Sequence, residues 1–140
     1  MTAVDTNVLV ALWDKNDRFN MNAQKALDRA LASGPLVIAA PVYAELLAKP
    51  TRTQQMLDEF FSDANIRVDW EISERVWRLA GEASQAYGVR WLASKGGESR
   101  RIVADFVIGA HALANGHSLL TFDRGFYERN FPGLMVKNPQ

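Results

Sequence analysis

Short apolar runs alternate with segments of helical periodicity along this 140-residue chain, and no other feature limits its fold so strongly. Thr2–Val4, Leu36–Ala39, Ile66–Val68, Leu119–Phe122 and Leu134–Val136 read as strands, and Leu36-Val37-Ile38-Ala39 is the unbroken apolar run expected of a buried parallel strand. Asn7–Trp13 forms a short helix. Phe19, Ala23, Ala26, Leu27, Ala30 and Leu31 share one helical face, and Ser33-Gly34-Pro35 stops that helix. Pro41 suits the first turn of a helix that ends before Pro50. Thr53–Phe61 turns Met56, Leu57, Phe60 and Phe61 inward. Val76, Ala80, Ala83 and Tyr87 repeat at helical spacing with Trp77 alongside, and Gly88–Arg101, with Gly96-Gly97, reads as a loop or frayed helix end. Val103–Ala114 is apolar almost throughout, a buried helix closed by Asn115-Gly116. Strands alternating with helices imply right-handed crossovers and a three-layer α/β/α sandwich with a mostly parallel central sheet, in a single domain spanning 1–140. No repeats, low-complexity segments or linkers interrupt it.

An apolar content of 48% with 23% charge supports a folded core. The chain has no cysteine, which excludes disulfides and thiolate metal sites and fits a reducing cytoplasm. Sixteen basic residues balance sixteen acidic ones, so the whole-molecule field attracts neither nucleic acid nor an anionic membrane. Nucleic-acid binding would have to come from local charge or bound cations. No apolar run approaches the ~20 residues of a membrane span, and no signal peptide is expected.

Two of the strands end on an aspartate. Asp5 closes the first, and Asp123 lies just past Leu119–Phe122. Ligands in parallel α/β sheets bind at the carboxyl ends of strands. Glu45, four residues beyond Pro41, leans back toward the same edge, because helical side chains tilt toward the helix N-terminus. Asp105 opens the buried helix and is the only charge between Arg101 and His111. Taken singly, Asp5 and Asp105 read as helix caps or first-turn acids, Asp123 as a turn residue and Glu45 as a solvated helix acid. Taken together they gather on one rim. Clustered carboxylates raise one another's pKa and are costly to bury unpaired. Their natural counter-charge is a hard divalent cation, Mg²⁺ or Mn²⁺. One ion, or two about 3.5–4 Å apart, would activate water for in-line attack on a phosphodiester, with no nucleophilic side chain needed.

Asp5-Thr6-Asn7, Glu45, Asp105-Phe106-Val107-Ile108-Gly109-Ala110 and Leu120-Thr121-Phe122-Asp123-Arg124-Gly125-Phe126 resemble, in that order, the motifs of PIN-domain nucleases, and among these the VapC-type toxins of toxin–antitoxin pairs. The resemblance implies Mg²⁺- or Mn²⁺-dependent RNA cleavage, with Asp5, Glu45, Asp105 and Asp123 as the catalytic, metal-binding acids. It makes Asn7 the residue that orients Asp5 and Thr121 the support for the Asp123 end, and it leaves Thr6 to cap the following helix. It also implies a homodimer and a cognate antitoxin that blocks the acidic groove. The chain departs from its relatives at Gly109, where alanine is common, and at His111, where many carry a small polar residue. The Gly88–Arg101 segment aligns with no motif.

His111 reads as a hydrogen-bonded core histidine and His117 as a surface residue. Arg90, Lys95, Arg100 and Arg101 outnumber Glu98 ahead of Asp105, so Arg100 and Arg101 are candidates for RNA contacts, with Trp91 a candidate for base stacking or a packing anchor. Trp13, Trp70 and Trp77 belong to core or interface, and Phe126, Tyr127 and Phe131 pack the final turn. Leu9, Leu12, Trp13 and the apolar face of Leu57–Phe61 offer a dimer or antitoxin surface, on the family's habits. The alternative is a catalytically weak PIN-like RNA- or partner-binding module. A haloacid-dehalogenase-like phosphatase is excluded because Asn7 stands where it needs a second aspartate. Val68-Asp69 and Ser118–Thr121 do not supply the aspartate and lysine of a response-regulator receiver.

Overall fold

The computed structural model describes residues 1–94 and 102–140. Among them, five strands form one sheet in the order β3-β2-β1-β4-β5, and every pairing is parallel. The strands are β1 (Thr2–Val4), β2 (Leu36–Ala39), β3 (Ile66–Asp69), β4 (Ser118–Leu120) and β5 (Val136–Lys137). The chain steps outward from β1 to β2 and β3, then returns to place β4 on the other side of β1. The strand order therefore reverses between β1 and β4, and a crevice opens beyond their carboxyl ends.

Helices α1 (Thr6–Trp13) and α2 (Asn20–Ser33) join β1 to β2, and α3 (Ala40–Leu47) and α4 (Gln54–Asp63) join β2 to β3. Then α5 (Glu74–Ala93) and α6 (Val103–Ala114) lead to β4, and α7 (Arg124–Asn130) leads to β5. These helices flank the sheet in the expected α/β/α arrangement. The buried apolar residues form one connected cluster centred on β1, β2, β4 and the apolar α6. No helix among the described residues is long and apolar enough to cross a membrane.

The helix ends follow local chemistry. Pro41 occupies the first turn of α3. Gly116, at φ 69°, ends α6 in a left-handed turn where His117 N–H donates to Ala112 (2.9 Å) and Gly116 N–H to Leu113 (3.2 Å). Gly109 is required by a close approach, because a Cβ there would overlap the Phe131 ring, itself 1% exposed.

Some expectations are corrected. Gly88 does not end α5, which runs on to Ala93. A glycine costs only about 1 kcal/mol in a helix, and packing along α6 offsets that. The final strand is Val136–Lys137, not Leu134–Val136. Leu134 is drawn into the core instead, and Met135 is exposed. Met56, expected inward, is 53% exposed, and of the two places expected for Trp70 and Trp77, core or interface, their exposure of 61% and 52% excludes the core. Thr6 does not cap α1. Asp5 takes that position and accepts Thr6 N–H at 2.8 Å.

Candidate active site

All four acids line one open cleft of about 480 Å³. They arrive from four places: Asp5 from the end of β1, Glu45 from the middle of α3, Asp105 from the first turn of α6, and Asp123 from the start of α7 just past β4. The cleft lies at the crevice where the strand order reverses. Asp17, which the sequence reading passed over, also lines it. Among the described residues, no lysine, arginine or histidine does.

Asp5 is the deepest of the four, at 5% exposure. Its Oδ1 accepts Thr6 N–H, its Oδ2 accepts the Thr121 hydroxyl at 2.8 Å, and the Tyr127 hydroxyl donates to it as well. Thr121 is itself fully engaged. Its oxygen accepts from Asn7 Nδ2 (3.3 Å) and from Asp123 N–H (3.0 Å). A hydroxyl has one proton and two lone pairs, so the proton must point at Asp5. Asn7 thus orients Asp5 through Thr121 and not by direct contact, while its Oδ1 accepts Phe122 N–H at 3.2 Å and pins the turn that carries Asp123. The Thr121–Asp123 bond spans two residues, the turn that threonine hydroxyls form with nearby backbone.

All these donors are neutral, and burial outweighs them. Desolvation, with a smaller contribution from the Asp105 charge, pushes the Asp5 pKa up to about 6. Burial also raises Glu45 above the usual carboxylate range, and the Asp105 charge adds to it, although the Thr6 hydroxyl donates to Glu45 Oε1 at 2.7 Å. The Tyr127 hydroxyl is held far above the ordinary tyrosine range by burial and then by the Asp5, Asp105 and Asp123 charges. These shared effects show one field of negative charge in the cleft. The donor set is all oxygen and all anionic, which fits a hard divalent cation. Among the described residues, no three acidic or imidazole groups are gathered tightly enough to close on a single ion by themselves. Mg²⁺ suits such a spread set, since it keeps several waters and takes few protein carboxylates.

Tyr127 and Thr6 are the polar partners that sequence reading missed. Tyr127 sits in an aromatic cluster with Phe126 and Phe131, so it reads as core, and it is core at 1% exposure. The available signal was that a buried tyrosine hydroxyl needs a partner, but nothing local in the chain points to Asp5 as that partner. His111 is the core residue expected, 0% exposed, with Nε2 2.8 Å from Asp69 Oδ2. It stands apart from the cleft. His117, expected at the surface, is partly buried, and its pKa is lowered by burial and by nearby His111. Arg100 and Arg101, with Lys95, lie outside the described residues. Trp91 is half-buried and packs on the core.

No curated protein matches this sequence significantly. Several solved structures share the fold over nearly the whole chain. One is VapBC2 from Rickettsia felis bound to a DNA fragment from its promoter: 22% identity, TM-score 0.69, covering 98% of this chain and 97% of that one. Another is FitAcB from Neisseria gonorrhoeae: 20% identity, TM-score 0.65, covering 99% and 98%. A third is VapBC-1 from nontypeable Haemophilus influenzae: 17% identity, TM-score 0.68, covering 99% and 97%. The family model for the PIN domain matches residues 2–132. With that match over nearly its whole length, and with its acids gathered where a parallel sheet reverses its strand order, the chain belongs to the PIN domain family.

Proposed function

We propose that this protein is a metal-dependent endoribonuclease and the toxin of a VapBC-type toxin–antitoxin pair. The observation that carries the reading is the cleft itself, which carboxylates from four separate elements line and which no lysine, arginine or histidine lines among the described residues. Asp5, Glu45, Asp105 and Asp123 would hold Mg²⁺ or Mn²⁺. The bound ion would act as a Lewis acid toward a phosphodiester and lower the pKa of a water that attacks phosphorus. The protein's own part is positional. Thr121, Tyr127 and Thr6 N–H hold the Asp5 carboxylate in one orientation, the Thr6 hydroxyl holds Glu45, and Asn7 locks the turn that sets Asp123.

The toxin role is supported by the family and by the nature of the fold neighbours, which are VapBC and FitAB assemblies. Leu9, Leu57 and Phe61, expected to offer a dimer or antitoxin surface, are buried in the core; exposed apolar residues such as Met56, Trp70 and Trp77 would instead be covered in a homodimer or by an antitoxin in the cytoplasm. The purified chain is expected to cleave RNA when Mg²⁺ or Mn²⁺ is added and to stop when it is chelated. Asp123→Asn is expected to abolish this without changing the circular dichroism spectrum. Asp123 suits the test better than Asp5, whose three donors an asparagine could not all satisfy. Undiminished cleavage by Asp123→Asn would reject the site. RNA binding with no metal-dependent turnover in the parent chain would favour the alternative of a binding module.

A further inference from the structure

We propose that a second groove, beside the acidic cleft, tracks the phosphodiester backbone of single-stranded RNA away from the bond to be cut; the proposal rests on the nuclease reading above. The groove measures about 440 Å³ and runs between α2 and the β4–β5 edge of the sheet. Lys25 and Arg29 on α2 and Lys137 on β5 line it, and no aspartate or glutamate side chain does among the described residues. None of these three cations is held in an ion pair among those residues. Lys25 and Arg29 are exposed and one helical turn apart, so both heads are available to a polyanion on the same side. Asn22 Nδ2 donates to Pro139 O at 3.4 Å and ties α2 to the tail that forms the far wall.

The groove and the cleft are lined by neighbouring residues of the same two segments. On α2, Asn22, Ala26 and Arg29 continue the helical face that begins at Phe19, and Phe19 lines the cleft. Leu120 lines the groove, and Phe122, two residues on, lines the cleft. Between the two, Phe19 and Phe122 stack with ring centroids 5.0 Å apart and 27° between planes, and the Arg18 guanidinium lies 4.5 Å from the Phe19 centroid. Arg18 is exposed, and its guanidinium plane over this half-buried aromatic pair is where an unpaired base would stack.

The electrostatics favour such a feature beside any cation bound in the cleft. Phosphate is repelled by the acids of the cleft, and the chain has net charge +0, so attraction must be local. Three cations in a groove that borders the same stretches of chain as the cleft supply it. An acidic protein segment could also satisfy the cations, but it would make no use of the aromatic junction.

The test compares the full chain with the variant K25Q/R29Q/K137Q. Metal-dependent kcat/KM is measured on a short RNA that fills only the cleft and on one several-fold longer, over salt from ~50 to ~200 mM. In the parent chain the longer RNA is expected to be favoured, steeply so at low salt. In the variant that gain should shrink roughly tenfold, and the salt slope should flatten by about 2, at about 0.7 for each single-strand phosphate no longer neutralised. Substituting Lys25→Arg and Lys137→Arg should restore both. Should the triple variant melt early, Arg29→Gln alone should flatten the slope by about 0.7. A parent that cleaves, with a variant that keeps its length preference and salt slope, would overturn the groove and leave the nuclease reading standing. A parent that cleaves neither RNA overturns both. Loss of polyglutamate binding with RNA kinetics unchanged would overturn the RNA assignment in favour of an acidic protein partner.

Discussion

Asp5 and Asp69 both stand at the carboxyl edge of the same parallel sheet, and their fates are opposite. Asp69 is the last residue of β3, and Asp5 follows the last residue of β1. Burial would raise Asp69, but the hydrogen bond from His111, the Glu71 N–H and the nearby positive charges outweigh it and hold its pKa below the ordinary value. Asp5 receives only neutral donors and has a carboxylate for a neighbour, so its pKa rises to about 6. An aspartate at a strand end becomes structural when the fold supplies a base beside it. Where the fold supplies only hydroxyls and other acids, the site lacks a counter-charge that a cation would provide. On the proposed reading, Asp69 belongs to stability and Asp5 to chemistry.

The largest expected contrast is in cleavage. Asp105→Asn should lower metal-dependent RNA cleavage by about 10²–10³-fold, on the scale of losing one preorganised electrostatic group. Asp69→Asn should leave cleavage within about twofold and lower stability by about 1–3 kcal/mol. The two rates, measured beside two urea denaturation curves, decide this, and equal rate losses would erase the distinction between the sites.

The second contrast is in pH. The raised pKa of Asp5 favours folding while the carboxyl is protonated, so the metal-free protein is expected to lose stability as pH rises from about 4 through about 6. The full effect is on the order of 3 kcal/mol. Glu45, raised as well, acts in the same direction. Asp69 acts in reverse: its contribution is present above the unfolded carboxylate pKa and is lost as pH falls through its depressed folded value. Melting at pH 5 and pH 8 with chelator should show the first loss, and Mn²⁺ at pH 8 should reverse it. A metal-free protein more stable at pH 8 than at pH 5 would contradict the picture of Asp5.

Thr121→Val comes next. It keeps the shape and removes a hydroxyl that serves Asp5, Asn7 and Asp123 at once. Removing such a supporting hydrogen bond typically costs 10–100-fold in metal affinity or activity, and the readout is the Mn²⁺ concentration needed for half-maximal cleavage. The smallest effect expected is at Gly109. Alanine there should cost about 1–3 kcal/mol through overpacking on Phe131, with metal dependence unchanged. Thermal melts of both variants measure it.

Much of this arrangement is legible in the chain. Strand and helix periods differ, so the alternation is visible residue by residue, and an acid that interrupts an apolar run stands out because burial disfavours it. Asp5 and Asp105 stand out on that ground and Asp123 as an acid just past a strand, and the structure brings all three to one cleft. Helix lengths are less legible. α5 runs through Gly88 to Ala93, an end that no residue of the local sequence signals. The partners of the acids are the least legible. Tyr127 lies 122 residues from Asp5 in the chain, and the link between Thr6 and Glu45 spans 39.

The order of elements, the positions of the acids and the absence of any thiolate chemistry were determined by sequence alone, because they follow from local periodicity and composition. Tertiary structure decided which acid is neutralised and which is not. It set Asp69 against His111 and left Asp5 among hydroxyls, and it opened a basic groove beside the acidic cleft. Charge and desolvation act over a few ångströms of space, and only the folded chain says which residues share that space.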